Sequence, residues 1–164
     1  QFMMRYNLIY KSLLRRIKIA KISIRAELVA GISKPTVSLV LGGGHSIGIP
    51  LAVSADYTFV AKSATMTLHP IRTSGTLITA EPTFAYMIKT QERVVDFIAE
   101  HSHASRADIE AKMNCTDNMA NDVGTLLFGP EAAEMGLVDE IGTLSEAIRK
   151  LRSMISLDNL ENNG

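Results

Sequence analysis

The sequence predicts an α/β domain assembled from strand–helix–strand crossover units, and three observations carry that reading. Residues 36–41, TVSLVL, form a short β-branched and apolar run that suits a parallel strand buried on both faces. Behind it a glycine-rich connector leads into a short stretch with helical apolar spacing at Ile49, Leu51, Ala52 and Ala55. Two more strand-like runs then follow at residues 56–61 and 64–69, which closes the crossover.

Each element has its own local cause. Lys34-Pro35 starts the first strand, and Gly42, Gly43 and Gly44 permit a tight turn with close backbone approach. Pro50 is tolerated in the first turn of the next helix, where no amide donor is needed. In ATMTLHP a period of two places Ala64, Met66 and Leu68 on one face and Thr65, Thr67 and His69 on the other. Phe84, Met87, Ile88, Gln91, Val94, Val95 and Ile98 keep a 3.6 period over residues 82–100, a long amphipathic helix whose stripe faces either the core or another subunit. Ser105, with Asp108 three positions on, begins a helix that runs through Met113. Gly129-Pro130 opens a short helix closed by Gly136, LVDEI reads as a strand, and residues 145–154 form a last helix.

Composition bounds the function. With 164 residues, 46% apolar and 21% charged, the chain has the size and balance of one soluble globular domain. A single cysteine, Cys115, excludes an internal disulfide framework, and together with His101 and His103 it makes too few well-spaced ligands for a metal site. No run of 18 uninterrupted apolar residues exists, so no membrane span is expected. Net charge is zero but unevenly spread: residues 1–25 hold seven Lys/Arg and no acid, which leaves ten basic against seventeen acidic residues beyond, a net of −7. That basic segment suits an amphipathic surface helix, a transit-like peptide or a nucleic-acid arm, and its apolar runs are too short for a secretory signal.

The chemistry centres on GGGHSIG, residues 42–48. Ser46 there stands between a strand and a helix, as a nucleophile or as a polar turn residue. A base is available in His69, which ends a strand in a crossover sheet and can point into the crevice at the strand ends. Its bland alternative is a histidine satisfied by a backbone carbonyl. His45 is nearer in number, but adjacent residues on a turn diverge, so the general-base role falls to His69.

These residues carry a family resemblance. The segments SKPTVSLVLGGGHSIGIPLAVSADYTFVAKSATMTLHPIRTSG, QERVVDFIAEHS and NDVGTLLFGPEAAEMGLVDEIG resemble the Clp protease proteolytic-subunit family, most closely its translocation-enhancing TepA branch, over residues 26–151. The resemblance implies a ClpP/crotonase-like fold of repeated β-β-α units with a long protruding helix. It divides the chain into a basic segment at 1–25, a ClpP-like domain at 26–154 and a flexible tail at 155–164. It also implies a cytoplasmic serine peptidase in which Ser46 attacks a peptide carbonyl, His69 shuttles the proton and the Ile47 amide forms half of the oxyanion hole. Asp122 is the expected third member and Asp117 the reserve, because Gly124 stands where the protease proper carries its aspartate. A peptide or unfolded-protein substrate, a homo-oligomeric ring and an ATPase partner are implied, with no cofactor, metal or nucleic acid.

The family precedes this region with a Gly-Gly turn that supplies the other oxyanion donor, and residues 1–25 contain no glycine. The chain therefore reads as the C-terminal portion of a longer protein, with residues 1–25 replacing the native start after truncation or a frameshift, and is expected to lack peptidase activity as given. Two other functions compete: a noncatalytic ring or interaction subunit, and a crotonase-type acyl-CoA enzyme, which would need neither Ser46 nor His69.

Overall fold

The computed structural model describes residues 20–72, 80–118 and 122–161. Most of the basic segment, residues 1–19, lies outside the described residues. Helix α1 (Ala20–Ala30) leads into β1 (Val37–Val40), β2 (Gly43–His45), α2 (Gly48–Val53), β3 (Tyr57–Val60) and β4 (Thr65–Leu68). Then follow the long helix α3 (Ala80–Glu100), α4 (Arg106–Met113), β5 (Thr125–Phe128), α5 (Gly129–Glu134), β6 (Glu140–Ile141) and α6 (Leu144–Glu161).

Two small sheets share the strands alternately, giving a mixed α/β architecture. β1, β3 and β6 form an all-parallel sheet in that order. β2, β4 and β5 form the second, with β2 and β4 parallel and β4 and β5 antiparallel. The chain thus enters the first sheet, passes to the second, crosses through α2 and repeats that passage with β3 and β4. The start of the crossover is fastened by Asp56, whose Oδ2 accepts from both the N–H and the hydroxyl of Thr36 at 2.7 Å.

Glycine 43 and 44 do not make the turn that their composition suggests. They lie in β2, paired in register with Thr65 and Met66 of β4. Gly44 is buried there, and a Cβ on it would stand 3.3 Å from both Met66 Cγ and Val40 Cγ1. The lack of a side chain lets the two sheets approach each other at this point.

The core is filled from several directions: Val40 and Val60 from the first sheet, Met66 and Leu68 from the second, Val53 from α2 and Ile109 from α4, all buried. The stripe on α3 splits in two. Val95 and Ile98, at its C-terminal half, are 1% and 2% exposed and belong to the core, whereas Phe84 and Ile88 are 66% and 44% exposed. α4 starts as the capping pattern predicts, with Ser105 Oγ accepting from the Asp108 N–H.

Two boundaries differ from the pattern. LVDEI contributes only two strand residues, because Leu137 and Val138 are consumed by core packing while Asp139 ties to β3. There the Asp139 N–H donates to the Thr58 carbonyl, and the Asp139 carboxylate accepts from the Thr58 N–H. α6 continues beyond Met154 to Glu161. Among the described residues no helix is long and apolar enough to cross a membrane.

Candidate active site

Ser46 occupies the step between β2 and α2 and has φ of 54°, the left-handed region that a serine enters only at a cost of about 1–2 kcal/mol. Its surroundings over-determine that conformation. The Ser46 N–H donates to the Thr67 carbonyl at 2.9 Å, and the Ser46 carbonyl accepts from Ile49 N–H at 3.1 Å. Thr67 grips the turn a second time through its hydroxyl, 2.7 Å from His45 Nδ1. The His45 ring lies over Gly43, where a Cβ would come within 2.4 Å of Nε2.

His69 follows directly on β4. Its Nδ1 lies 2.7 Å from the Pro70 carbonyl oxygen. A carbonyl can only accept, so Nδ1 is the donor in this bond, and in a neutral ring Nε2 is the nitrogen without a proton. Of the two readings of this histidine, the one observed is the ring satisfied by a backbone carbonyl.

Ser46, Ile47 and His69 open into one cavity of about 170 Å³. Its walls are apolar, with Ile49 from α2, Leu68 from β4, Val94 and Ile98 from α3 and Met113 from α4, and Arg72 stands at the rim. The segment carrying His69 is held to α3 by Gln91, whose Oε1 accepts the Ile71 N–H at 3.1 Å. Among the described residues the Ser46 hydroxyl and the His69 ring make no hydrogen bond to one another. His45 does not line the cavity.

Asp122 lies in the bend before β5. Both of its oxygens are 2.7 Å from Arg72 Nη2, and Oδ1 accepts the Val123 N–H at 2.8 Å. The Arg72 hydrogen bond, with help from Val123 N–H and from the charges of Arg72 and His69, holds this carboxyl below the usual carboxylate value. His69 is thus near enough to Asp122 to be felt electrostatically, while its Nδ1 is bonded to Pro70. Asp117, the reserve, is exposed and accepts from the Thr116 hydroxyl at 3.2 Å.

Three features of the site escaped the sequence reading: which carbonyl, that of Pro70, satisfies His69, the presence of Arg72, and the close packing of Gly124 on His69. Of these only Arg72 leaves a trace, as the lone cation in PIRTSGTLITA directly after the His-Pro pair. Among the described residues no group of three His, Cys, Asp or Glu could hold a metal ion.

Residues 21–145 match the model of the Clp protease family. The chain is 50% identical over 130 residues to the translocation-enhancing protein TepA of Halalkalibacterium halodurans, which covers 79% of this chain and 51% of that protein. It is 36% identical over 67 residues to a Methanocaldococcus jannaschii protein whose name marks it as a candidate protease, covering 41% of this chain and 19% of that one. The chain thus spans about half the length of the first relative.

Proposed function

Because this chain belongs to the Clp protease family, we propose that it carries the catalytic site of a serine peptidase of the TepA type. One observation bears most of the weight: a serine held in a left-handed strand-to-helix turn and a histidine with its Nε2 left as the base line the same cavity. Ser46 Oγ attacks the peptide carbonyl carbon while its proton passes to His69 Nε2. The amide of Ile47, a residue that lines the cavity, donates to the resulting oxyanion. Collapse breaks the C–N bond, and the leaving nitrogen takes the proton from Nε2. Water then enters, gives a proton to Nε2 and hydrolyses the acyl ester, releasing the acid and restoring the Ser46 hydroxyl.

Asp122 stands beside this site as a carboxylate held in an ion pair with Arg72. The apolar cavity wall suits an apolar side chain of an extended or unfolded peptide. A homo-oligomeric ring of repeated β-β-α units, an ATPase partner that feeds it and a cytoplasmic location complete the reading on the strength of family membership.

A noncatalytic subunit is the second reading. It is favoured by the absence, among the described residues, of a hydrogen bond between Ser46 and His69, although such bonds are often long before substrate binds. Hydrolysis of an uncharged fluorogenic peptide by the intact protein separates the two. Turnover abolished by Ser46→Ala and by His69→Ala supports the peptidase. Equal turnover in the parent and Ser46→Ala contradicts it.

A further inference from the structure

We propose that Gly124 is a positioning residue for His69, and that the catalytic base is oriented by main chain, from Pro70 and Gly124, rather than by a carboxylate. The proposal rests on the peptidase reading for its catalytic consequence, but its geometric content stands apart from turnover.

β4 and β5 are antiparallel with Leu68 opposite Thr125. One step outward, His69 faces Gly124. The glycine is buried and has φ of 137°, a backbone conformation that an L side chain rarely adopts. A Cβ built on it would stand 2.5 Å from the Leu68 carbonyl oxygen, 2.8 Å from His69 Cβ and 3.1 Å from His69 Cα. No side chain fits in that gap, so any L-residue at 124 must displace either its own loop or the backbone of the base.

The loop is not free to give way. The Gly124 N–H donates to the Cys115 carbonyl at 2.7 Å, and the neighbouring Thr125 hydroxyl donates to the Lys112 carbonyl at 2.7 Å. These anchors, Lys112 and Cys115, lie in the last turn of α4 and just beyond its end. A substituent would therefore transmit much of its displacement to His69. On the other flank the 2.7 Å bond from Nδ1 to the Pro70 carbonyl fixes the ring. Misplacing a reacting group by about 1 Å can cost about 10²-fold in rate.

The same contact explains why a carboxylate at 124 cannot serve the imidazole here. Its Cβ would have to occupy space held by the Leu68 carbonyl and His69 Cβ. The substitution that looks most like a repair of the triad is therefore expected to damage the site.

The test uses the intact protein carrying Gly124→Ala, Gly124→Asp or, as a control, Gly136→Ala. Gly136 also has positive φ, 76°, but packs on His103, outside the cavity. Gly124→Ala and Gly124→Asp should lower kcat for an uncharged peptide by about 10- to 10²-fold at little changed KM. They should slow fluorophosphonate labelling of Ser46 in parallel. Gly136→Ala should lower Tm while keeping kcat per folded molecule. A Gly124→Asp variant at or above the parent kcat, or a Gly124→Ala variant equal to the parent, overturns the proposal.

Imidazole nitrogen NMR of the parent reads the orientation whether or not the protein hydrolyses peptides or the variants fold. The proposal requires neutral His69 to carry its proton on Nδ1, and an Nε2–H tautomer contradicts it. A parent with the Nδ1–H tautomer and no labelling of Ser46 would retire the peptidase reading, reduce Gly124 to a packing role and so overturn the catalytic part of the proposal.

Discussion

Arg72 holds Asp122 through a single nitrogen, with Nη2 2.7 Å from each carboxylate oxygen, while the neighbouring His69 turns its Nδ1 to the Pro70 carbonyl. Among the described residues Asp122 and His69 share no hydrogen bond. This arrangement separates two tasks usually given to one aspartate. In the proposed mechanism the carbonyl sets the tautomer and the carboxylate supplies charge.

It follows that Asp122→Asn should cost little in catalysis. Where a carboxylate fixes the imidazole tautomer, its amide replacement lowers turnover about 10⁴-fold. With Pro70 in that role the loss in kcat/KM should stay within about tenfold, one decade corresponding to about 1.4 kcal/mol of transition-state stabilisation. A loss near 10⁴ would return the orienting role to Asp122.

Acid should reveal the ion pair. The Asp122 carboxyl is held below its ordinary value chiefly by Arg72, and that of Glu146 chiefly by Thr143, whose hydroxyl and N–H both donate to it at 2.7 Å. Groups lowered on folding contribute stability that is complete above their unfolded values and lost as pH falls through the folded ones. Urea midpoints should therefore fall as pH drops below the ordinary carboxylate range, and less steeply in an Asp122→Asn, Glu146→Gln double variant. Parallel pH curves for parent and double variant would contradict this.

The strained turn makes a stability prediction that is independent of chemistry. Ser46→Ala and Ser46→Gly both remove the nucleophile, but only glycine adopts φ of 54° without steric penalty. Denaturant unfolding should find the glycine variant more stable than the alanine variant by about 1 kcal/mol. The reverse order would mean that the left-handed geometry is not retained.

Much of this site was legible because it is local. The β-branched run at 36–41, the helical spacing after Gly48 and the alternation in ATMTLHP each encode an element, and together they place Ser46 and His69 at the ends of strands that prove to be neighbours. Gly43 and Gly44 were misleading because their pairing with β4 depends on contacts more than twenty residues away, while their composition signals a turn. Arg72 and Asp122 are separated by 50 positions, and no pattern of residue types announces such a pair. The Pro70 carbonyl is invisible for another reason: every residue has a carbonyl, so a backbone partner leaves no mark in the sequence. Gly124 could be read as a missing aspartate but not as a close contact, which only the antiparallel register of β4 and β5 makes plain.

Site mapping of fluorophosphonate labelling tests the central claim most directly. Ser38 and Ser54 donate their hydroxyls to the carbonyls of Ala52 and Leu51, and neither lines the cavity with His69; nor does Ser63. Mass spectrometry of the labelled intact protein should find the adduct on Ser46 alone, and His69→Ala should abolish it. A labelled Ser38, Ser54 or Ser63 with Ser46 unmodified, or no adduct on any serine, would contradict the account.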